Sequence, residues 1–331
     1  MTIACFRKLT EILPSGPAVV ATVVQTQGSV PREVGAKMLI GGDGFTFGTI
    51  GGGAGEAKVI RQAEQVLESG QKQRVIVDLT GASHRETQGI CGGLMQVWLE
   101  RWAGEAALAL AQKILTRLEA GQTATLVIPF ELSQSPYLLD VNDNLSDSSF
   151  VYITVDIKNA FTETLQPSPI LLIVGAGHVG MQLAKVADMI GFQVMVQDDR
   201  PEWANFQHYP QAAKIFPELA TALSHLATHT QLFAALVTRG YQYDLAALTS
   251  LLQRPIPCRY IGMIGSKKRV RQVFQAIEQS GISSRQLQSI YAPIGLDIGA
   301  LTPEEIAVSI AAELIWVQRG GTGRPLSERL E

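Results

Sequence analysis

Cysteine is scarce. The 331 residues hold three, Cys5, Cys91 and Cys258, far apart and in no CxxC spacing. An odd number of dispersed thiols argues against a disulfide framework and against a zinc site, and it fits a reducing cytoplasm. Charge is also sparse, at 17% of residues and a net −3, which leaves no basic footprint for nucleic acid or for an anionic membrane surface. No apolar run approaches the roughly 18 residues that a membrane span requires. There is no Ser-His-Asp pattern, HExxH or Walker A sequence, and no pair of carboxylates that the sequence alone brings together, so no reaction is specified. The opening MTIACFRKLTEILPSG sets Arg7, Lys8 and Glu11 where a signal peptide needs an apolar core. It reads instead as a short amphipathic helix.

Hydrophobic residues are abundant, at 46%. Large cores are therefore within reach, and the length suggests two or three domains. In the first half, the β-branched run 17–27 predicts a strand and 36–50 a hairpin turning at Gly41, Gly42 and Gly44. Residues 55–70 predict a helix with Ala57, Ile60, Ala63 or Glu64, and Leu67 on one face, stopped by Gly70. Strands follow near 73–79 and 94–100, then a helix over 104–120 and a strand over 122–129. The polar run 140–149 reads as an exposed loop. The expected division is a mixed α/β domain over 1–160, a linker over 161–169 with two prolines, and a second domain over 170–331.

That second domain begins with an uninterrupted apolar run, Ile170 to Val174, ending in Gly175-Ala176-Gly177-His178-Val179-Gly180 and opening a helix. After Gly191 comes a second strand closed by Asp198, 18 positions beyond Gly180. Strand, glycine turn, helix, strand and acid are the context that a dinucleotide fingerprint requires. Later strands over 231–238 and 259–265 complete the pattern of a Rossmann-like, doubly wound parallel sheet.

Each candidate residue carries two readings. Gly175, Gly177 and Gly180 either let a phosphate approach the helix start or serve only helix–strand packing. Asp198 or Asp199 would take a ribose hydroxyl. His178 stands either beside that phosphate or simply on an exposed helix end. Ser266 is a predicted N-cap, and Lys267, Lys268 and Arg269 follow it in a first helical turn, where cations oppose the helix dipole. They face either an anionic ligand or solvent. Asp297 is held between Gly295 and Gly299, just before a capping box made by Thr302 and Glu305. In the first half, Gly51, Gly52 and Gly53 precede a helix and can form an anion nest, with Glu56 as its acid or as a plain first-turn carboxylate. Arg32 and Lys37 lie in the nearby GSVPREVGAKM. Cys91, in Gly89-Ile90-Cys91-Gly92-Gly93, is either a sulfur that a ligand can reach or a small hydrophobe under a tight turn.

GSVPREVGAKML, GTIGGGAGE, CGGLMQVWLE, GAGHVG with QDDRPEWAN, GMIGSKKR and PIGLDIGALTPEEIAVSIAAELI together resemble the xanthine dehydrogenase accessory protein family, XdhC/CoxI. They span nearly the whole chain in family order. The resemblance implies an N-terminal family domain, a C-terminal Rossmann domain, and a maturation factor. Such a factor binds the molybdenum cofactor (molybdopterin), aids its sulfuration and delivers it to a xanthine dehydrogenase-like hydroxylase, with a cysteine desulfurase as a further partner. Many such members carry Cys after the triple glycine, where this chain has Ala54. Cys91 is then the glycine-flanked sulfur available to ligate the cofactor's molybdenum or to pass sulfur, with a nearby nest of N–H groups, Arg32 or Lys37 favouring its thiolate. The alternatives are an NAD(P)-dependent oxidoreductase on the same Rossmann half and a nucleotide-sensing module. The client enzyme, the mononucleotide or dinucleotide form of the cofactor, and association into homo-oligomers stay open.

Overall fold

The computed structural model describes residues 2–80, 92–139, 153–156 and 159–329. By packing, the chain divides into Met1–Pro167 and Ser168–Glu331.

The first unit runs α1 (Thr2–Ile12), β1 (Ala18–Gln27), β2 (Lys37–Gly41), β3 (Thr46–Gly48), α2 (Gly53–Ser69), β4 (Gln73–Asp78), β5 (Leu94–Trp102), α3 (Gly104–Glu119), β6 (Ala124–Pro129), β7 (Tyr137–Leu138), β8 (Ile153–Asp156) and β9 (Ala160–Leu165). The β-branched β1 is the centre of an antiparallel sheet ordered β3-β2-β1-β5-β4. Its strand alternation splits the core in two. Val19, Ala21 and Val23 pack with Val59, Ala63 and Val66 of α2, whereas Val20 and Val24 pack with Phe6 and Leu9 of α1, Ile114 of α3 and Phe161 of β9. The α2 face is therefore Gly55, Val59, Ala63 and Val66, rotated from the expected one, and Ala57 and Glu64 are exposed. The two valines out-compete the smaller and charged positions for the core.

The linker expected over 161–169 is a misreading of a strand. Residues 160–165 are β9, paired with both β6 and β8 in a four-stranded antiparallel sheet. Its inward face reads Phe161, Glu163, Leu165, and the charge at the middle position hides the alternation. Glu163 is tolerated there because Lys37 reaches it from β2 as a buried ion pair.

The second unit runs β10 (Ile170–Val174), α4 (His178–Met189), β11 (Gln193–Gln197), β12 (Lys214–Phe216), α5 (Leu219–His225), β13 (Leu232–Leu236), α6 (Tyr241–Leu252), β14 (Tyr260–Met263), α7 (Lys267–Gln279), α8 (Ser284–Leu287) and α9 (Pro303–Arg319). The five strands are parallel in the order β12-β11-β10-β13-β14. Every residue of β10 is buried: Leu171 and Ile173 under α4 and α9, Ile170, Leu172 and Val174 in the core that α5, α6 and α7 close. Burial on both faces is why the run is uninterrupted. The short edge strand β12 has no such signal. The Thr302–Glu305 capping box opens α9, and Gly320, at φ 74°, ends it.

Candidate functional site

Antiparallel pairing in the first unit brings Gln27, Lys37, Gly48, Asp78 and Leu94 to one end of the sheet. Three glycine-bearing segments therefore meet there. A Cβ on Gly93 would lie 2.4 Å from the Ser29 carbonyl, and one on Gly51 2.3 Å from Cγ of Pro31. Segment 28–35 is thus packed between Gly51 and Gly92–Gly93, and those glycines are needed for close approach. Cys91 lies outside the described residues. Ala54 is exposed in the first turn of α2.

The nest over Gly51–Gly53 is filled from within. Glu56 Oε2 accepts from Thr49 Oγ1 at 2.6 Å and from the amides of Ile50 and Gly52 at 3.1 Å each. Burial works against that charge, yet the bonds from Thr49, Gly52 and Ile50 outweigh it and hold the carboxyl below its ordinary range. A phosphate directed to this nest would meet a carboxylate already bonded there. Lys37 is also engaged, on Glu163 and on the Gly35 carbonyl at 3.2 Å, and does not serve as a free cation. Arg32, four-fifths covered, stands 3.8 Å from Glu33.

In the second unit the glycine turn lies at the carboxyl end of β10, beside the point where strand order reverses between β10 and β13. Gly175, at φ 110°, passes so close to β13 that a Cβ would lie 2.6 Å from the Val237 carbonyl. On Gly180 it would lie 2.5 Å from the Gly175 carbonyl. Both glycines are explained by packing. Gly177 is not: its φ of −79° suits any residue, and nothing lies within 4 Å of where its Cβ would be. It is the N-cap of α4, no side chain caps that helix, and the buried Tyr209 hydroxyl reaches the Gly177 carbonyl at 3.5 Å. His178 is exposed and sits edge-on to Trp203, ring centroids 5.2 Å apart.

Asp198 is buried and bonded internally, accepting from Ala176 N at 2.7 Å and from Arg200 through Nε and Nη2 at 2.8 Å each. Burial opposes its charge, but Arg200 and the Ala176 amide prevail and bring its pKa down to about 2. Of the two acids expected to take a ribose hydroxyl, Asp198 is the one that pins the glycine turn. Its neighbour Asp199 is half exposed and forms a two-pronged pair with Arg239, at 2.8 and 2.9 Å. Behind them, α6 and the ends of β10, β11 and β13 wall a cleft of about 360 Å3.

The cationic turn of α7 divides. Ser266 is the N-cap, accepting from Arg269 N at 3.3 Å, and Lys267 and Lys268 are exposed. Arg269 points inward, its Nε donating to the fully buried Asp244 at 2.5 Å. Thr238 Oγ1 donates to the other Asp244 oxygen at 2.6 Å. The anion for that arginine is part of the chain, so Arg269 faces neither of the alternatives expected for the cationic turn, a ligand or solvent. Asp297 is exposed, on a loop that Glu313 holds through Gly295 N at 3.0 Å and Ser309 through the Leu296 carbonyl at 2.6 Å.

Sequence reasoning missed Thr238, Arg239 and Asp244. A readable signal was present: Thr238-Arg239-Gly240 directly follows the apolar strand next to the glycine strand, where ligand crevices open. Among the described residues no cluster of three metal-ligating side chains occurs, and no helix is long and apolar enough to cross a membrane.

These features define a two-unit α/β protein whose second unit is Rossmann-like. The family models agree: that of the XdhC Rossmann domain matches residues 171–314, and that of the XdhC and CoxI family matches residues 14–78. Each unit is thus similar to a model of XdhC proteins, the first to the XdhC and CoxI family and the second to the XdhC Rossmann domain. It is 29% identical over 322 residues to a probable xanthine dehydrogenase subunit of Bacillus subtilis, covering 91% of this chain and 93% of that protein. It is 24% identical to the molybdenum cofactor insertion chaperone PaoD of Escherichia coli, covering 93% and 86%. A crystal structure described as a xanthine dehydrogenase from Bacillus halodurans superposes with a TM-score of 0.72 at 27% identity, covering 98% of this chain and 99% of that one.

Proposed function

We propose that this protein is a maturation factor that carries the molybdenum cofactor to a xanthine dehydrogenase-like hydroxylase. The matches of both units to XdhC models and the insertion chaperone among its relatives support the role. The observation that carries it to particular atoms is the open space at Gly177. A glycine with no steric or torsional need, at the uncapped start of a helix, leaves room for a phosphate to reach backbone N–H groups. Molybdopterin, as cargo, brings such a phosphate. Sulfuration of the cargo, with a cysteine desulfurase as donor and Cys91 as the receiving thiol, belongs to this proposal and is tested separately by Cys91→Ser.

Protein purified from a molybdate-fed host should release a fluorescent pterin on oxidation and should activate a cofactor-free client hydroxylase. Release of nicotinamide nucleotide instead, with steady turnover of a substrate, would establish the oxidoreductase reading. That alternative loses one support here, because Asp198 is already held by Arg200 and Ala176.

A further inference from the structure

We infer that two copies of this chain pair through the outward face of α9, laid antiparallel across a two-fold axis. That helix is apolar almost all round, with charge at its ends. Its inner face, with Ala307, Ile310 and Leu314, is buried in the core that α4 and the parallel sheet share. Its outer face stays apolar as well. Leu301, Val308 and Ile315 recur at seven-residue spacing and are 85%, 50% and 42% exposed. Seven residues drift by only about 20° on a helix, so Val308 and Ile315 form one line, which Leu301 extends past the N-cap. The neighbouring α7 shows the usual form of a surface helix. There Val270, Val273 and Ile277 turn inward, while Lys268, Arg271 and Glu278 meet solvent. A helix without such a polar face is one that is covered on both sides.

The patch is also held in shape. The buried Glu313 accepts from the Tyr260 hydroxyl at 2.5 Å and from Gly295 N at 3.0 Å, and Leu301 N donates to Glu305 at 2.8 Å. The exposed Ile298 and Leu301 therefore stand on a fixed loop, which lowers the entropy cost of covering them. Charge selects the occupant. Glu304 begins the outer face and Arg319 ends it, both exposed. Glu304 stands four residues before Val308, and Arg319 stands four after Ile315. An antiparallel register that sets Val308 against Ile315 of the second copy therefore also sets Glu304 against its Arg319. The two-fold axis repeats both pairs. Ala311 and Ala312 fall at that axis, where small side chains let two backbones approach. A parallel arrangement would instead place like charge on like charge.

Sedimentation velocity of the full chain over a range of concentrations is the test. Pairing needs no cargo, so the result stands whichever ligand the second unit holds. The natural chain should sediment as two copies. Ile315→Glu, which presses a carboxylate against Val308 of the second copy, should sediment as one. Val308→Glu serves if that variant melts early, since Val308 is the more exposed of the two. A charge swap then probes the register. Glu304→Arg alone and Arg319→Glu alone should each weaken pairing by about tenfold, and the double change should restore it. Within one chain the two positions lie about 22 Å apart along the helix, and each reversal opposes its own helix dipole. Recovery therefore comes from contact between copies. A single copy at every concentration overturns the inference. So does pairing indifferent to both Ile315→Glu and Val308→Glu, or a double swap that fails to recover.

Discussion

Each unit has a glycine run that opens a helix, and the two runs have opposite fates. In the first, Gly51–Gly53 curl into a nest and Glu56, four residues after Gly52, fills it with the chain's own carboxylate. In the second, the acid that reaches back to the turn is Asp198, and among the turn's amides it accepts from that of Ala176, leaving Gly177 and the start of α4 open. A glycine run therefore signals an anion site only when no nearby acid in the same chain completes it. Glu56 was visible in the sequence as an acid at the right helical position, but its reach into the nest was not.

Paired glycine substitutions would break the comparison most sharply. Gly177→Val adds its side chain to open space at an ordinary φ, so the melting temperature should hold while affinity for phosphorylated pterin falls by about 100-fold, near 2.7 kcal/mol. Gly51→Val meets Pro31 and a φ of 134°, so it should destabilise by about 3 kcal/mol with no direct effect on a pterin held in the second unit. Thermal melts and a binding titration on both variants decide the matter. Full affinity in a folded Gly177→Val protein would remove the phosphate from the turn.

A second experiment converts one run into the other. Glu56→Ala removes the internal anion and leaves the amides of Ile50 and Gly52 facing an empty nest, at a cost of about 1–2 kcal/mol. Inorganic phosphate should then raise the melting temperature of the variant and leave that of the natural chain unchanged. Equal responses would mean that the carboxylate is not what keeps anions out.

The fold was legible where one physical signal dominated. The strand β10 and its glycine turn, the capping box of α9 and the hairpin β2–β3 all follow from local pattern. Legibility failed where two distant charges cancelled. Glu163 made a strand look like a linker because Lys37, its partner, is 126 residues away. Arg269 looked open to a ligand or to solvent because Asp244 is 25 residues upstream on another helix. Of the candidate site, the sequence marked the glycines and Asp198 but not that Asp198 is spent on Arg200. Pairings of that kind depend on which loops the sheet order brings together, and no window of sequence contains them.

Acid should expose the same internal anions. Asp198 has a folded pKa near 2 against an ordinary 3.8, and Glu56 is likewise lowered from 4.5. A lowered carboxyl contributes stability that is complete above its unfolded pKa and lost as pH falls through the folded one. Denaturant titrations should therefore show stability falling from about pH 4 to about pH 2, and Asp198→Asn should flatten part of that slope. An unchanged slope would mean that Arg200 and Ala176 do not hold the ionised form.

The smallest expected effect lies in α7, where the internal pairing of Arg269 sets the baseline. With Arg269 committed to Asp244, the exposed Lys267 and Lys268 are the cations left at the start of that helix. Positive charge at a helix N-terminus is unfavourable by roughly 0.3–1 kcal/mol at low salt, and solvent exposure puts these two near the lower figure. Replacing both with Gln should raise the melting temperature slightly at low ionic strength and not at high. If the lysines contribute to anion capture, the same variant should weaken cofactor binding and flatten its dependence on salt. If they are only a solvated surface, binding will match the natural chain while the small stabilisation remains. Arg269→Gln is the control: it strands the buried Asp244 carboxylate, so it should destabilise by several-fold more than the double lysine change removes. A stable Arg269→Gln protein would show that the inward pair is dispensable and return all three cations to the surface.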